Sequence, residues 1–204
     1  MESVLSDQAL VTKAREGDRS AFDALVLRHQ ARAVLIAQSV LRNFELAKDA
    51  SQNAFAKAYF GLGRFRQEAN FKTWLFKIVL NEARDIYRKE KSRGRFKIQN
   101  ERQTEEGEES ILETIATSEA SPREVFEAQE IKKQLEKAIY QLSERQRDVF
   151  ILKYLNGLMI SEVAETLGMA EGTVKAHLAH GTERLKTILL VPVHLANQPR
   201  KAGD

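Results

Sequence analysis

The sequence predicts an all-α protein: two small helical domains joined by a flexible acidic linker, the second containing a helix-turn-helix. Three observations carry this. Apolar residues recur at helical spacing through both ends of the chain, and no stretch alternates β-branched with polar residues as a strand would. Charge falls in three blocks: residues 1–97 carry +8, residues 98–130 carry −8 and residues 131–204 carry +3. Near the C-terminus two helical patterns meet at Gly168 with the spacing of a helix-turn-helix.

Composition narrows the function classes. The 204 residues are 43% hydrophobic and 30% charged, which suits a soluble globular chain. There is no cysteine, so disulfide scaffolds, cysteine-ligated zinc, iron–sulfur clusters and thiol catalysis are excluded. No apolar run approaches the ~20 residues of a membrane span. The N-terminus MESVLSDQAL lacks a basic segment followed by an apolar one, so no secretory signal is read there and the expected compartment is the cytoplasm. Two basic blocks flanking an acidic one point to a polyanionic partner for the ends.

Taken in order, Ser20 with Asp23 resembles a capping box. Phe22, Leu25, Val26, His29, Ala33, Ile36, Ala37 and Val40 then follow helical spacing, with His29 expected at the edge of the core. A second helix is expected from about Glu45 to Phe60, stopped near Gly61 and Gly63, and a third from about Phe71 to Lys91. Residues 94–121 read as a linker without a core, which should let the domains move apart in the free protein. Ser121-Pro122-Arg123-Glu124 restarts a helix, with proline at its first position. Ser143 and Gln146 form another capping box, whose helix ends at Asn156-Gly157. The expected division is 1–93, linker 94–121, 122–190 and a tail 191–204 broken by Pro192.

Three segments carry chemistry. In ISEVAETLGMAEGTVKAHLAHGTERLK, Ala164 is small where two helices must cross, Gly168 permits a positive φ, and Val174 can pack the second helix on the first. That pattern, with Lys175, Arg184 and Lys186, points to a helix that enters the DNA major groove. After Trp74, Lys77, Asn81, Arg84, Arg88 and Lys91 step by 4, 3, 4 and 3, so they share one helix face suited to phosphate contacts. Residues 61–75 interleave Phe65, Phe71 and Trp74 with Arg64, Arg66, Lys72, Gln67 and Asn70, a mixture suited to stacking on and reading unpaired bases. Phe71 and Trp74 are expected in the core.

Together these segments resemble a bacterial sigma factor of the extracytoplasmic-function type, the smallest class of the sigma-70 family. GDRSAFDALVLRHQ resembles the opening of the region-2 domain and KDASQNAF its polymerase-docking segment. RFRQEANFKTWLFKIVLNEARDIYRK resembles the stretch that opens and reads the −10 element. LSERQRDVFILKYLNGLMISEVAETLGMAEGTVKAHL resembles the region-4 domain that reads the −35 element. The resemblance implies a protein that is not an enzyme, holds no cofactor, and lends core RNA polymerase its promoter specificity. Its implied partners are the clamp helices and flap of polymerase, promoter DNA and, in some members, an anti-sigma factor, without membrane insertion.

The resemblance assigns polymerase docking to Asp49, Gln52, Asn53, Phe55 and Lys57. It assigns −10 DNA to Arg64, Phe65, Arg66, Gln67, Asn70, Lys72, Lys77, Asn81, Arg84 and Arg88. It assigns −35 DNA to Glu171, Thr173, Lys175, His177, His180 and Arg184. The sequence departs from the family at Asn53, usually acidic, at Ala170, commonly a capping serine or threonine, and at His177 and His180, where arginine is frequent. EGTVKAHL also resembles the helix-turn-helix of response regulators, but residues 1–120 lack the alternating strands and helices of a receiver domain. No Gly-rich phosphate loop, His-Glu-x-x-His or nucleophile motif supports an enzyme.

Overall fold

The computed structural model describes residues 5–66, 70–93 and 122–196, with side chains placed except at 122–127 and 191–196. Among the described residues the chain is helical, without strands. The N-terminal domain comprises α1 (Asp7–Arg15), α2 (Arg19–Leu41), α3 (Phe44–Gly61), a single 3-10 turn (Leu62–Arg64) and α4 (Phe71–Ser92). The C-terminal domain comprises α5 (Pro122–Tyr140), α6 (Glu144–Phe150) running into one π turn (Ile151–Leu155), α7 (Ile160–Leu167) and α8 (Glu171–Ala196).

Side-chain oxygens cap the N-terminal helices, satisfying amide groups that lack an intrahelical partner. Ser6 accepts from Ala9 N–H, Asn43 from Leu46 N–H and Asn70 from Lys72 N–H. The cap of α2 is Asp18, which accepts from Ala21 N–H at 3.3 Å, rather than Ser20; Ser20 lies inside the helix and donates to Asp18. Helix α1 was not foreseen in the sequence. It is only nine residues long, and its Leu10, Val11 and Ala14 become an apolar stripe only once α2 lies beside them.

The core of the N-terminal domain explains its close packing. Helix α3 turns Ala47, Ala50, Ala54 and Ala58 inward, all fully buried. These short side chains let α2 and α4 approach closely. Leu25, Ile36 and Leu41 of α2 and Leu75, Phe76, Val79 and Leu80 of α4 fill the space between. The C-terminal domain has a smaller core of Ala138, Ile139, Leu142, Ile151 and Leu185.

The two domains are not separate bodies in this structure. Val149, Leu152, Leu158, Val163, Ala164 and Val174 of the C-terminal domain belong to the same buried apolar cluster as the N-terminal core. Leu35 of α2 packs on the smaller core in return. The domains are thus in contact here, and residues 94–121, the linker expected to let them move apart, lie outside the described residues. Helix α8 also continues through Pro192 to Ala196 instead of ending before the proline.

His29 is buried at the core edge, as expected, and meets Asp7 of α1 with Nε2 2.8 Å from Oδ2. Arg28 donates to the other oxygen of Asp7. Burial alone would raise the Asp7 carboxyl, but the hydrogen bonds of His29 and Arg28 outweigh it and hold the group below the ordinary aspartate value of 3.8. A depressed carboxylate contributes stability that is present above its unfolded pKa and lost as pH falls through its folded one. Asp7→Asn should thus lower the thermal midpoint at pH 6 and narrow the gap to wild type as pH falls below about 3.8. A gap that stays constant from pH 6 to pH 2.5 would refute this role.

Candidate nucleic-acid and polymerase interfaces

The outer face of α3 is polar because its inner face is spent on alanine packing. Asp49, Gln52, Asn53 and Lys57 are exposed. Lys57 is ion-paired with Glu82 of α4. Phe55, expected on this face, is only 6% exposed and packs in the core: it sits at the border between Gln52 on one side and Ala58 on the other, and its ring turns inward. Phe60, which the sequence reading did not place on this face, borders it. It is 84% exposed. It stands seven positions after Asn53, two helical turns along the same stripe, and that spacing was the available signal.

The loop leading to α4 is built on an aromatic cluster. Phe65 lies 4.9 Å from Trp74 and 6.0 Å from Phe71, measured between ring centroids. Gly61 makes room for it: a Cβ there would come within 3.2 Å of the Trp74 ring. Phe71 is buried as expected and Trp74 half-buried. Phe65, expected to stack on bases, is 6% exposed and supports the loop from beneath. Its neighbours Arg64 and Arg66 are exposed. Gln67 lies outside the described residues.

The stripe on α4 forms as its spacing predicts. Lys77, Asn81, Arg88 and Lys91 are exposed, whereas Leu75 and Val79 are buried on the opposite side. Arg88 pairs with Asp85 on its own helix. Lys72 and Arg84 are half-buried and Asn70 is exposed, and the C-terminal domain reaches all three.

Glu162 of α7 is 7% exposed. Its Oε2 accepts from Met159 N–H at 2.8 Å, capping its own helix, and its Oε1 accepts from Asn70 Nδ2 at 2.9 Å. Lys72 Nζ stands 3.0 Å from Oε1. One carboxylate thus joins the starts of α4 and α7. Burial pushes the Glu162 carboxyl up, but the Met159 amide and Lys72 prevail and hold it below the usual glutamate value. Arg84 donates to Asp148 Oδ2 at 2.5 Å and sits 3.3 Å from Glu144. Asp148 is 1% exposed. There burial prevails over the attraction of Arg84 and pushes the carboxyl up. Asp148 Oδ1 is buried and finds no hydrogen-bond partner among the described residues.

The helix-turn-helix is α7 and α8. Gly168 adopts φ 64°, ψ 43°, a left-handed turn that glycine adopts without steric cost. Met169 N–H then donates to Ala164 carbonyl at 3.0 Å. Ala164 and Val174 are buried at the crossing, as their spacing predicts. On α8, Glu171, Thr173, Lys175, His180 and Arg184 are exposed and His177 is half-buried. Arg184 also donates to Gln141 carbonyl at 3.3 Å.

Comparison with known proteins follows the same division. The Sigma-70 region 2 model matches residues 25–93 and the Sigma-70 region 4 model matches residues 132–185. The RNA polymerase sigma-H factor of Pseudomonas aeruginosa is 30% identical over 183 residues, covering 90% of this chain and 93% of that one. The ECF RNA polymerase sigma-E factor of Haemophilus influenzae is 30% identical over 187 residues, covering 91% and 96%. Among solved structures, CnrH in complex with the cytosolic domain of CnrY matches the fold with a TM-score of 0.66 at 23% identity, over 90% of this chain and 96% of that chain. The sigma factor RpoE in complex with the anti-sigma factor NepR from Bartonella quintana matches at 0.59 and 25% identity, over 83% and 97%. With both regions present in order and relatives matched nearly end to end, the chain belongs to the sigma-70 family of RNA polymerase sigma factors, of the extracytoplasmic-function type, and acts in promoter-specific transcription initiation.

Proposed function

We propose that this sigma factor divides its work among three surfaces. The exposed stripe of α3, Asp49, Gln52, Asn53, Lys57 and the added Phe60, docks on the clamp helices of core RNA polymerase. Arg64, Arg66, Gln67, Asn70 and Lys72 capture unpaired −10 bases, with Lys77, Asn81, Arg84 and Arg88 holding the adjoining phosphates. Glu171, Thr173, Lys175, His177, His180 and Arg184 of α8 read the −35 duplex in the major groove. Unstacking a base costs only a few kcal/mol, so captured bases supply enough binding energy to favour strand opening. The chain performs no covalent chemistry and requires no cofactor. It works in the cytoplasm beside polymerase, and the similarity to the NepR-bound RpoE supports an anti-sigma partner.

The observation that carries this reading is the exposed basic stripe of α4, set next to a loop whose aromatics are committed to supporting it. In vitro transcription with core polymerase on genomic fragments tests the whole reading: discrete start sites that depend on this chain are expected, and their absence would overturn it. The phosphate assignment has its own test. Arg84→Ala with Arg88→Ala should weaken holoenzyme binding at all promoters alike and flatten the log–log salt dependence by roughly one unit per lost contact. A loss confined to particular −10 bases would contradict it.

A further inference from the structure

We infer, building on the −10 assignment just proposed, that His29 is a positioning residue for base recognition: it ties down both ends of the segment that joins α3 to α4. The first end is the 3-10 turn Leu62–Arg64, and α1 packs against it. The second end is Phe71, the opening residue of α4. His29 lies on α2, outside the segment itself. Its Nε2 is 2.8 Å from Asp7 Oδ2, a contact that fixes α1 to α2. Its ring centroid is 5.9 Å from that of Phe71, which in turn is 6.0 Å from Phe65 and 5.9 Å from Trp74. One imidazole thus acts on Arg64 through α1 and the turn, and on Arg66 and Asn70 through Phe65 and Phe71.

Stability alone does not account for a histidine here. The residue is buried, and its Nδ1 finds no hydrogen-bond partner among the described residues. A buried polar atom without a partner is destabilising, and an apolar side chain beside Phe71 and Phe76 would avoid that. What the imidazole adds is direction. The burial of Asp7 is outweighed by its hydrogen bonds from His29 and Arg28, so it is ionised at neutral pH and only accepts. Nε2 therefore carries the proton, and the bond fixes the plane of the ring. The ring stands nearly perpendicular to Phe76, at 84°, and tilted by 51° to Phe71, as aromatic neighbours prefer. Reading a base requires side chains held to within about 0.5 Å. Attraction to a phosphate falls off slowly with distance and carries no sequence information. Loosening the two ends should blur which base is preferred before it weakens binding as a whole.

The test uses holoenzyme reconstituted with full-length variants and assayed well below each variant's thermal midpoint. The probe is the non-template −10 strand of a promoter that the wild-type holoenzyme transcribes, with its single-base substitutions. His29→Leu breaks both ties. It should lower the ratio of affinities for the preferred and the substituted base by about tenfold, the scale of one well-made base contact. The log–log salt slope should stay unchanged, since no phosphate contact is lost. His29→Gln keeps an N–H for Asp7 but has no ring, and His29→Phe keeps a ring but has no N–H. Each should fall between His29→Leu and wild type, and the two carry the test if the leucine variant folds poorly. Gln30→Ala, at the exposed position next to it, should change nothing. A preference ratio equal to wild type in all three His29 variants, or one that simply follows their thermal midpoints, would overturn the positioning role. A wild-type holoenzyme without base preference in this strand would instead refute the −10 assignment and, with it, this role.

Discussion

Asp49→Arg combined with Gln52→Ala should abolish co-purification with core RNA polymerase. Both side chains are exposed on α3, one turn apart, and neither contributes to the alanine-lined inner face that holds α3 in the domain. The change therefore removes contact chemistry and reverses a charge without opening the core. Truncating a hot-spot residue at the centre of an interface costs about 2 kcal/mol or more. A charge reversal beside it should bring the combined loss to at least about a hundredfold in affinity. Circular dichroism and elution of the free protein should be unchanged. Phe60→Ala, at the far end of the stripe, should give a smaller loss. Normal recovery of the double variant with core enzyme would reject α3 as the docking face.

Phe76→Ala should unfold much of the N-terminal domain near physiological temperature. Phe76 is fully buried and among the largest side chains in the core, where its ring lies 6.2 Å from that of His29. Truncating a buried phenylalanine costs about 3–5 kcal/mol, combining lost burial with the cavity left behind. A small domain has only about 5–15 kcal/mol in total. For a domain of this size each kcal/mol moves the thermal midpoint by roughly 4–8 °C. A drop above about 12 °C is expected in a melting curve, and a shift of a few degrees would mean that the core closes over the gap. Phe60→Ala, a ring lost from the surface, is the internal control and should leave the midpoint in place.

What could be read before the structure follows from the range of the forces involved. The helices of α2, α3 and α4, the cap at Ser143 and the turn at Gly168 all depend on residues within a few positions of one another, and each lies where its pattern predicts. The basic stripe of α4 is likewise a local periodicity. Phe55 and Phe65 were misjudged because an aromatic beside polar neighbours has the same local pattern whether it faces solvent or core; only the packing of α3 and Trp74 decides. Arg84 and Asp148 are 64 positions apart, and Asn70 and Glu162 are 92 apart. No local pattern announces such pairs. The acidic residues of the C-terminal domain read in sequence as ordinary solvated helix positions.

The chain's single tryptophan is Trp74, which lies against Phe65 and Gly61 at the base of the −10 loop. Its indole is half-buried, so its ultraviolet emission depends on whether that loop is dry, wet or covered by a nucleobase. The protein consequently carries a built-in optical reporter at one of its three proposed surfaces. Strand capture by the loop should quench or shift the emission, whereas engagement of α8 with duplex should leave the spectrum nearly dark to change. The order of the two events on a promoter can thus be timed in a stopped-flow fluorimeter without attaching a dye.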